Sequence, residues 1–282
     1  ASTTNAIIRT GNQPVFCDIK EDFTIDETKI VNLISSKTIA IMPVHVYGNV
    51  CNVEALQEIS IKYNLPIIYD AAHVFGVKYK GQSVGSFGDI SMYSFHATKV
   101  FHTLEGGALV FKDPSLKKKL VALRNFGITS QDVYDYFGGN GKMDEFRSAI
   151  GLLSLEKIDL TIKQRQQVYQ RYSMNLSNVP GLKLNHYNND TKTNYAYFPV
   201  LFNASASHRD DMFLHLQNHG IMTRKYFYPL TSEFNAFDGK SDSKHTPNAL
   251  KISQQVLCLP IYPELKLNEV DRISNLIKEF KI

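Results

Sequence analysis

The feature that most constrains this chain is an alternation. Through residues 1–111, short apolar runs take turns with segments whose apolar residues recur at helical spacing. The runs PVFCDI (14–19), TIAIMPV (38–44), PIIYD (66–70), DISMYSF (89–95) and GALVF (107–111) read as buried strands. DETKIVNLIS from Asp26 and VEALQEISIKYN from Val53 read as helices, with Asp26 and Asn52 as N-caps and Asn64 as a C-terminal stop. Strand and helix alternating at that pace predict an α/β chain on a largely parallel sheet. In such sheets ligands bind beyond the carboxyl ends of the strands. Asp70 and the segment SFHATK, which contains Lys99, both fall there.

After that region the pattern changes. Met143 to about Leu176 reads as one long helical stretch, and Pro180-Gly181 breaks it. Beyond it lie a strand-like NYAYFPVLF, a helix RDDMFLHLQNHG closed by Gly220, and a last helix from about Asn268. The expected organisation is a large domain over residues 1–160, then a linking helix and a small C-terminal α+β domain over 161–282.

Composition narrows the partners. A net charge of +4 is too mild for a nucleic-acid-binding stripe, and no run of 18 apolar residues offers a membrane span. Three cysteines, Cys17, Cys51 and Cys258, are odd in number and have no metal-ligand spacing. They point to a reduced, cytoplasmic setting without a metal centre. The opening ASTTNAIIRTGNQPVF lacks the apolar core of a signal peptide and an initiator Met, so the natural protein is expected to be longer.

A lysine that follows a strand among small and aromatic residues loses solvent, and burial lowers the pKa of an amine. Such an amine suits Schiff-base chemistry. Pyridoxal phosphate requires a lysine of this kind, a carboxylate for its ring nitrogen and donors for its phosphate. Lys99, Asp70 and the hydroxyl of Ser94 supply one of each. Taken singly, each has a plainer explanation. An Asp at a strand end is most often a cap or turn residue, and a Lys near a Gly-Gly turn is usually solvated. The residues alone leave both readings open.

Longer strings add to this: NAIIRTGNQPVFCDI, AIMPVHVYGN, YDAAHVFG, KGQSVGSFGDISMYSFHATKVFHTLEGGALV, LRNFG, GGNGKMDEFRSAIGLLSLEKID, GIMTRKYFYPL and VLCLPIYPEL. With them the chain resembles, almost end to end, the DegT/StrS family of pyridoxal-phosphate-dependent nucleotide-sugar aminotransferases, of fold type I. Its SFHATK…EGG version is similar to the enzymes that aminate the 4-keto carbon of nucleotide-linked 6-deoxyhexoses. The resemblance implies an amino group moved from L-glutamate to such a sugar, for surface polysaccharide such as O-antigen or another glycan.

Residue by residue, the resemblance implies that Asp70 pairs with the pyridine nitrogen and His73 lies by the ring hydroxyl. It implies that Ser94 binds the phosphate, and that Lys99 is both Schiff-base lysine and proton carrier. Asn140 is implied to reach the phosphate of the neighbouring subunit, hence a homodimer with shared active sites. His96, Arg224 and Tyr226 are candidate substrate contacts, against packing or surface roles. Tyr93, Phe95 and His45 read as core, and Gly106 and Gly107 as a turn. Two other outcomes within the family are a sugar dehydratase, whose branch carries His in place of the lysine, and a non-catalytic dimeric relative. Lys99 and the intact set Asp70, Ser94 and Asn140 favour the aminotransferase. Family members also carry an N-terminal stretch with a Gly-Thr helix start for the phosphate, which this chain does not include.

Overall fold

A computed structural model describes residues 1–203, 206–237 and 243–280. Three of the expected strands form one sheet: β1 (Ile68–Asp70), β2 (Ile90–Ser94) and β3 (Gly107–Phe111). β1 and β2 run parallel in the register Ile68–Ile90 to Asp70–Met92, so both end at the same edge. β3 returns antiparallel against β2. At its start there is no room for a side chain, since a Cβ on Gly107 would stand 2.7 Å from the carbonyl of Tyr93.

The run 38–44 joins this sheet through two parallel bridges, Ile41–Ile67 and Val44–Asp70, without becoming a regular strand. Pro43 has no N–H to give a ladder, and the chain turns away at Tyr47 and Gly48, both at positive φ. The expected strand at 14–19 does not form. Only Ile19 bridges, to Ile25, across a tight reversal. The Asp18 side chain instead accepts from the backbone N–H groups of Asn248 and Ala249 and from Lys29. Long-range polar contacts therefore override the local apolar pattern there.

The caps behave as their chemistry dictates. Asp26 and Asn52 accept from the N–H groups of Thr28 and Ala55, contacts that contribute about 1 kcal/mol each. Asp26 opens only one α-turn, Glu27–Ile30, before a 3-10 turn. Asn52 opens a full helix, Val53–Tyr63, and Asn64 ends it in the left-handed conformation. A helix not expected from the pattern, α1 (Ser2–Arg9), begins the chain; the Asn-capped helix is α2, and α3 is the 32-residue helix Glu145–Leu176, capped by Asp144.

The second half builds an antiparallel sheet from β4 (Leu182–Leu184), β5 (Phe198–Phe202) and β6 (Val256–Leu259), with β5 central. Helices α4 (Ala206–Asn218), α5 (Pro247–Gln255) and α6 (Leu267–Glu279) accompany it. Every residue of β5 is buried, which explains its unbroken apolar sequence. Two main cores result. One gathers residues between Ile30 and Tyr93; the other gathers residues between Val168 and Ile277, including Tyr172 and Leu176 from the end of α3. Arg171 clamps α3 to α6 through a bidentate pair with Asp271, whose carboxyl it holds down at about 2. Among the described residues no helix is long and apolar enough to cross a membrane.

Candidate active site

Asp70 closes β1, and Ser94 closes the parallel β2 beside it. The chain then leaves the sheet in a loop that returns at Thr103, whose N–H donates to the carbonyl of Phe95 at 3.0 Å. Phe101 anchors this loop: it is buried and stacks on Phe75 at 4.3 Å. Lys99 sits at the loop's turn, its N–H donating to His96 O at 2.9 Å, with a half-buried side chain. Strand register and one aromatic anchor thus bring Lys99 and Asp70 to the same edge.

Burial pushes the Lys99 amine below the usual lysine range, and the nearby Asp70 charge partly opposes that push. The Asp70 carboxylate is itself buried and held at both oxygens. The Ala72 N–H donates to Oδ1 at 3.0 Å, and the Thr3 hydroxyl donates to Oδ2 at 2.6 Å. Its backbone is pinned to the adjacent run, donating to Pro43 O and accepting from the His45 N–H. A carboxylate so fixed is a rigid point of negative charge facing a desolvated amine.

His73 is buried three residues on. Its Nδ1 accepts from the backbone N–H of Tyr47 at 3.1 Å, and Nε2 lies 3.3 Å from the hydroxyl of Tyr197. Burial first, and the Lys99 charge second, push His73 down to about 3. Phe227 lies parallel to both the His73 and the Tyr47 rings, at 5.9 and 5.8 Å. The loop 221–230 is brought here by backbone pairing of Arg224 with Cys258 on β6 and by the Tyr47 hydroxyl, which donates to Tyr226 O. A water-sized cavity of about 10 Å³ lies among His73, Phe75, Lys99, Asn194 and Tyr197.

The other sequence candidates are spread around this centre. Ser94 is half-buried at the strand end, and its hydroxyl oxygen accepts from the His96 N–H at 3.4 Å. His96 is exposed, 2.9 Å from the Thr98 hydroxyl and 3.5 Å from Glu105. Arg224 projects an exposed side chain, and the half-buried Tyr226 packs edge-on against Tyr197 at 6.2 Å. Asn140 lies on an exposed segment whose backbone bridges Asn125. His45 is fully buried, stacks on Tyr69 at 4.5 Å and accepts from the Cys51 N–H, consistent with the core role expected of it. Tyr93 is buried and Phe95 packs against the same core. Among the described residues no group of three or more His, Cys, Asp or Glu side chains is arranged to hold a metal ion.

Sequence reading overlooked four contributors: Thr3, Tyr47, Tyr197 and Phe227. Tyr197 lies in a run that reads simply as a strand, and Phe227 in a loop where Arg224 and Tyr226 carry the stronger chemical signal. Thr3 and Tyr47 reach the site only through the fold.

The DegT/DnrJ/EryC1/StrS aminotransferase family description matches residues 1–278. The chain belongs to this family. It is 39% identical to a dTDP-4-amino-4,6-dideoxy-D-glucose transaminase of Shigella dysenteriae, over 99% of this chain and 77% of that protein. Its fold superposes on DesI, solved in the presence of its TDP-sugar product, with a TM-score of 0.92 and 30% identity, covering 98% of this chain and 71% of that one. It also superposes on Spr1654 of Streptococcus pneumoniae in its PLP form, with a TM-score of 0.90 and 25% identity, covering 97% of this chain and 76% of that one.

The family's cofactor is pyridoxal phosphate, and the fold is that of its fold type I enzymes. The residues present fit that group on chemistry alone. They offer a desolvated amine, a fixed buried carboxylate, a strand-end hydroxyl and parallel aromatic rings at one edge of the sheet.

Proposed function

We propose that this chain moves the amino group of L-glutamate to the 4-keto carbon of a nucleotide-linked 6-deoxyhexose, for surface polysaccharide such as O-antigen or a related glycan. The observation that carries the reading is the Lys99 amine, desolvated beside the fixed Asp70 carboxylate at the carboxyl edge of the parallel strands. Similarity to transaminases that act at carbon 4 of dTDP-linked sugars supports the substrate class.

Bound pyridoxal phosphate supplies an electron sink for the carbon that loses its proton. Asp70 would keep the ring nitrogen protonated through its negative charge. His73 would lie by the ring hydroxyl, and Ser94 would offer its hydroxyl to the phosphate. Lys99 would hold the cofactor through its side-chain amine. Its amine would take a proton from the donor carbon and deliver one to the acceptor carbon, a role suited to an amine whose pKa burial has lowered. His96, Arg224 and Tyr226 contact the substrate; exposed basic side chains at His96 and Arg224 suit two anionic substrates.

The working unit in this reading is a cytoplasmic homodimer. Between Phe126 and Leu160 the chain exposes Tyr134, Phe137, Phe146, Leu152 and Leu153, apolar surface that calls for a cover. Asn140 lies within this stretch and would serve the phosphate of the other protomer. Cys17, Cys51 and Cys258 are all free, as a reducing compartment keeps them. The domain division falls within α3 near residue 160, after which the helix contributes to the second core from Val168 onward.

The test is a panel. Purified protein with pyridoxal phosphate and L-glutamate is offered dTDP-, GDP- and UDP-linked 4-keto-6-deoxyhexoses, and products are read by NMR. The expected result is a 4-amino sugar and 2-oxoglutarate in equal amounts from one of them. No amino sugar from any member of the panel overturns the proposed substrate.

A further inference from the structure

Lys99 has a second polar neighbour besides Asp70. Its Nζ lies 3.5 Å from the hydroxyl of Tyr197, on the residue just before β5. Tyr197 is held there by the preceding turn: Asn194 donates to the carbonyls of His73 and Phe75, both at 3.0 Å, and accepts from the Ala196 N–H at 3.1 Å. That cross-tie joins the strand entering the second core to the loop that follows Asp70. The phenol is thereby fixed against the amine by backbone from two different parts of the fold.

The hydrogen bonds around the phenol have a forced direction. Because the Tyr47 N–H donates to His73 Nδ1, that nitrogen carries no proton. Burial keeps His73 neutral at working pH, so its single proton is on Nε2 and is donated to the Tyr197 oxygen. Tyr197 is then left with one remaining lone pair and its own proton, both available to Lys99. An ammonium at Lys99 can donate to that lone pair, and a neutral amine can accept that proton.

We infer that Tyr197 is the positioning residue that holds the Lys99 amine in both of its protonation states. This rests on the proposed reading of Lys99 as the reacting amine. A lysine that takes and returns a proton must pass between ammonium and amine without swinging away. A hydroxyl that reverses its donor and acceptor roles suits that passage; a carboxylate such as Asp70 can partner only the ammonium. The titratable groups around the pair are Asp70 and His73 beside Lys99, with Arg165, Cys258, Tyr226 and Asp70 around Tyr197.

The experiment reads Lys99 directly in the cofactor-free protein. Trace labelling with an amine-reactive reagent across a pH series, with the Lys99 peptide quantified by mass spectrometry, gives the titration of that one amine. In Tyr197→Phe the ammonium loses an acceptor and the amine loses a donor. The bond to the charged form is the stronger of the two, so the titration should move down by on the order of one pH unit. The neighbouring Tyr195→Phe should leave it in place. Should Tyr197→Phe fold poorly, 3-fluorotyrosine at position 197 keeps the shape. It makes the phenol a better donor and poorer acceptor, so both effects push Lys99 in the same downward direction. In assays with cofactor and substrates, kcat should fall with KM little changed. A Lys99 titration unmoved by either replacement overturns the inference. Borohydride fixation of pyridoxal phosphate in the wild-type protein at a lysine other than Lys99 would instead overturn the reading beneath it.

Discussion

The Thr3 hydroxyl donates to Asp70 Oδ2 at 2.6 Å, joining the first helix to the last residue of β1 across 67 positions of chain. With the Ala72 N–H on Oδ1, it leaves the carboxylate no freedom to rotate. Under the proposed role of Asp70, Thr3→Val removes one bond to a charged group, an interaction contributing about 1.5–3 kcal/mol. A loss in kcat on the order of 10- to 100-fold is expected, with Thr3→Ser close to the parent. Equal kcat in the valine and serine variants would show that the Ala72 N–H is enough.

Lys99→Ala should abolish transamination while leaving the fold intact, because a half-buried amine contributes little to either core. Circular dichroism and thermal unfolding check the fold. Turnover within tenfold of the parent would contradict the assignment of Lys99. Asp70→Asn should retain some cofactor binding and lose most of the rate, since the amide offers no charge to keep the ring nitrogen protonated.

Mixing the two subunit variants Lys99→Ala and Asn140→Ala tests the shared site. In the mixed dimer one of two sites has both residues intact, so each mixed dimer should recover about half of the parent dimer's activity. No recovery after confirmed subunit exchange would place each complete site within a single chain.

Acid should destabilise the fold through its buried imidazoles. Burial pushes His45 and His73 to about 3, with the Lys99 charge a smaller contribution at His73, whereas an exposed imidazole titrates near 6.5. Between about pH 6.5 and 3 the unfolded chain binds protons at these two positions that the native chain does not. Stability from this pair is therefore full above about pH 6.5 and declines as pH falls, with a slope of up to about 2.7 kcal/mol per pH unit. Urea unfolding at pH 7 and at pH 5 measures it. His45→Gln should reduce proton uptake on unfolding by about one; an undiminished slope in that variant would show that His45 is not buried neutral.

Part of this protein is determined by local sequence. Asn52 and Asn64 start and stop α2 because their side chains cap or adopt the left-handed turn wherever they stand. The alternation of strand and helix placed Asp70 and Ser94 at strand ends, since a run of apolar residues must end where a polar one meets solvent or a site. The motif strings around Lys99 carried the family. Other features needed the tertiary structure. PVFCDI looks like a strand but is not one, because Asp18 is drawn to the N–H groups of Asn248 and Ala249 more than 200 residues away. Thr3, Tyr47 and Tyr197 join the site through hydrogen bonds that span 67, 26 and 98 positions. No local pattern encodes such contacts: a hydroxyl or backbone N–H becomes functional only when packing elsewhere brings it within hydrogen-bond reach.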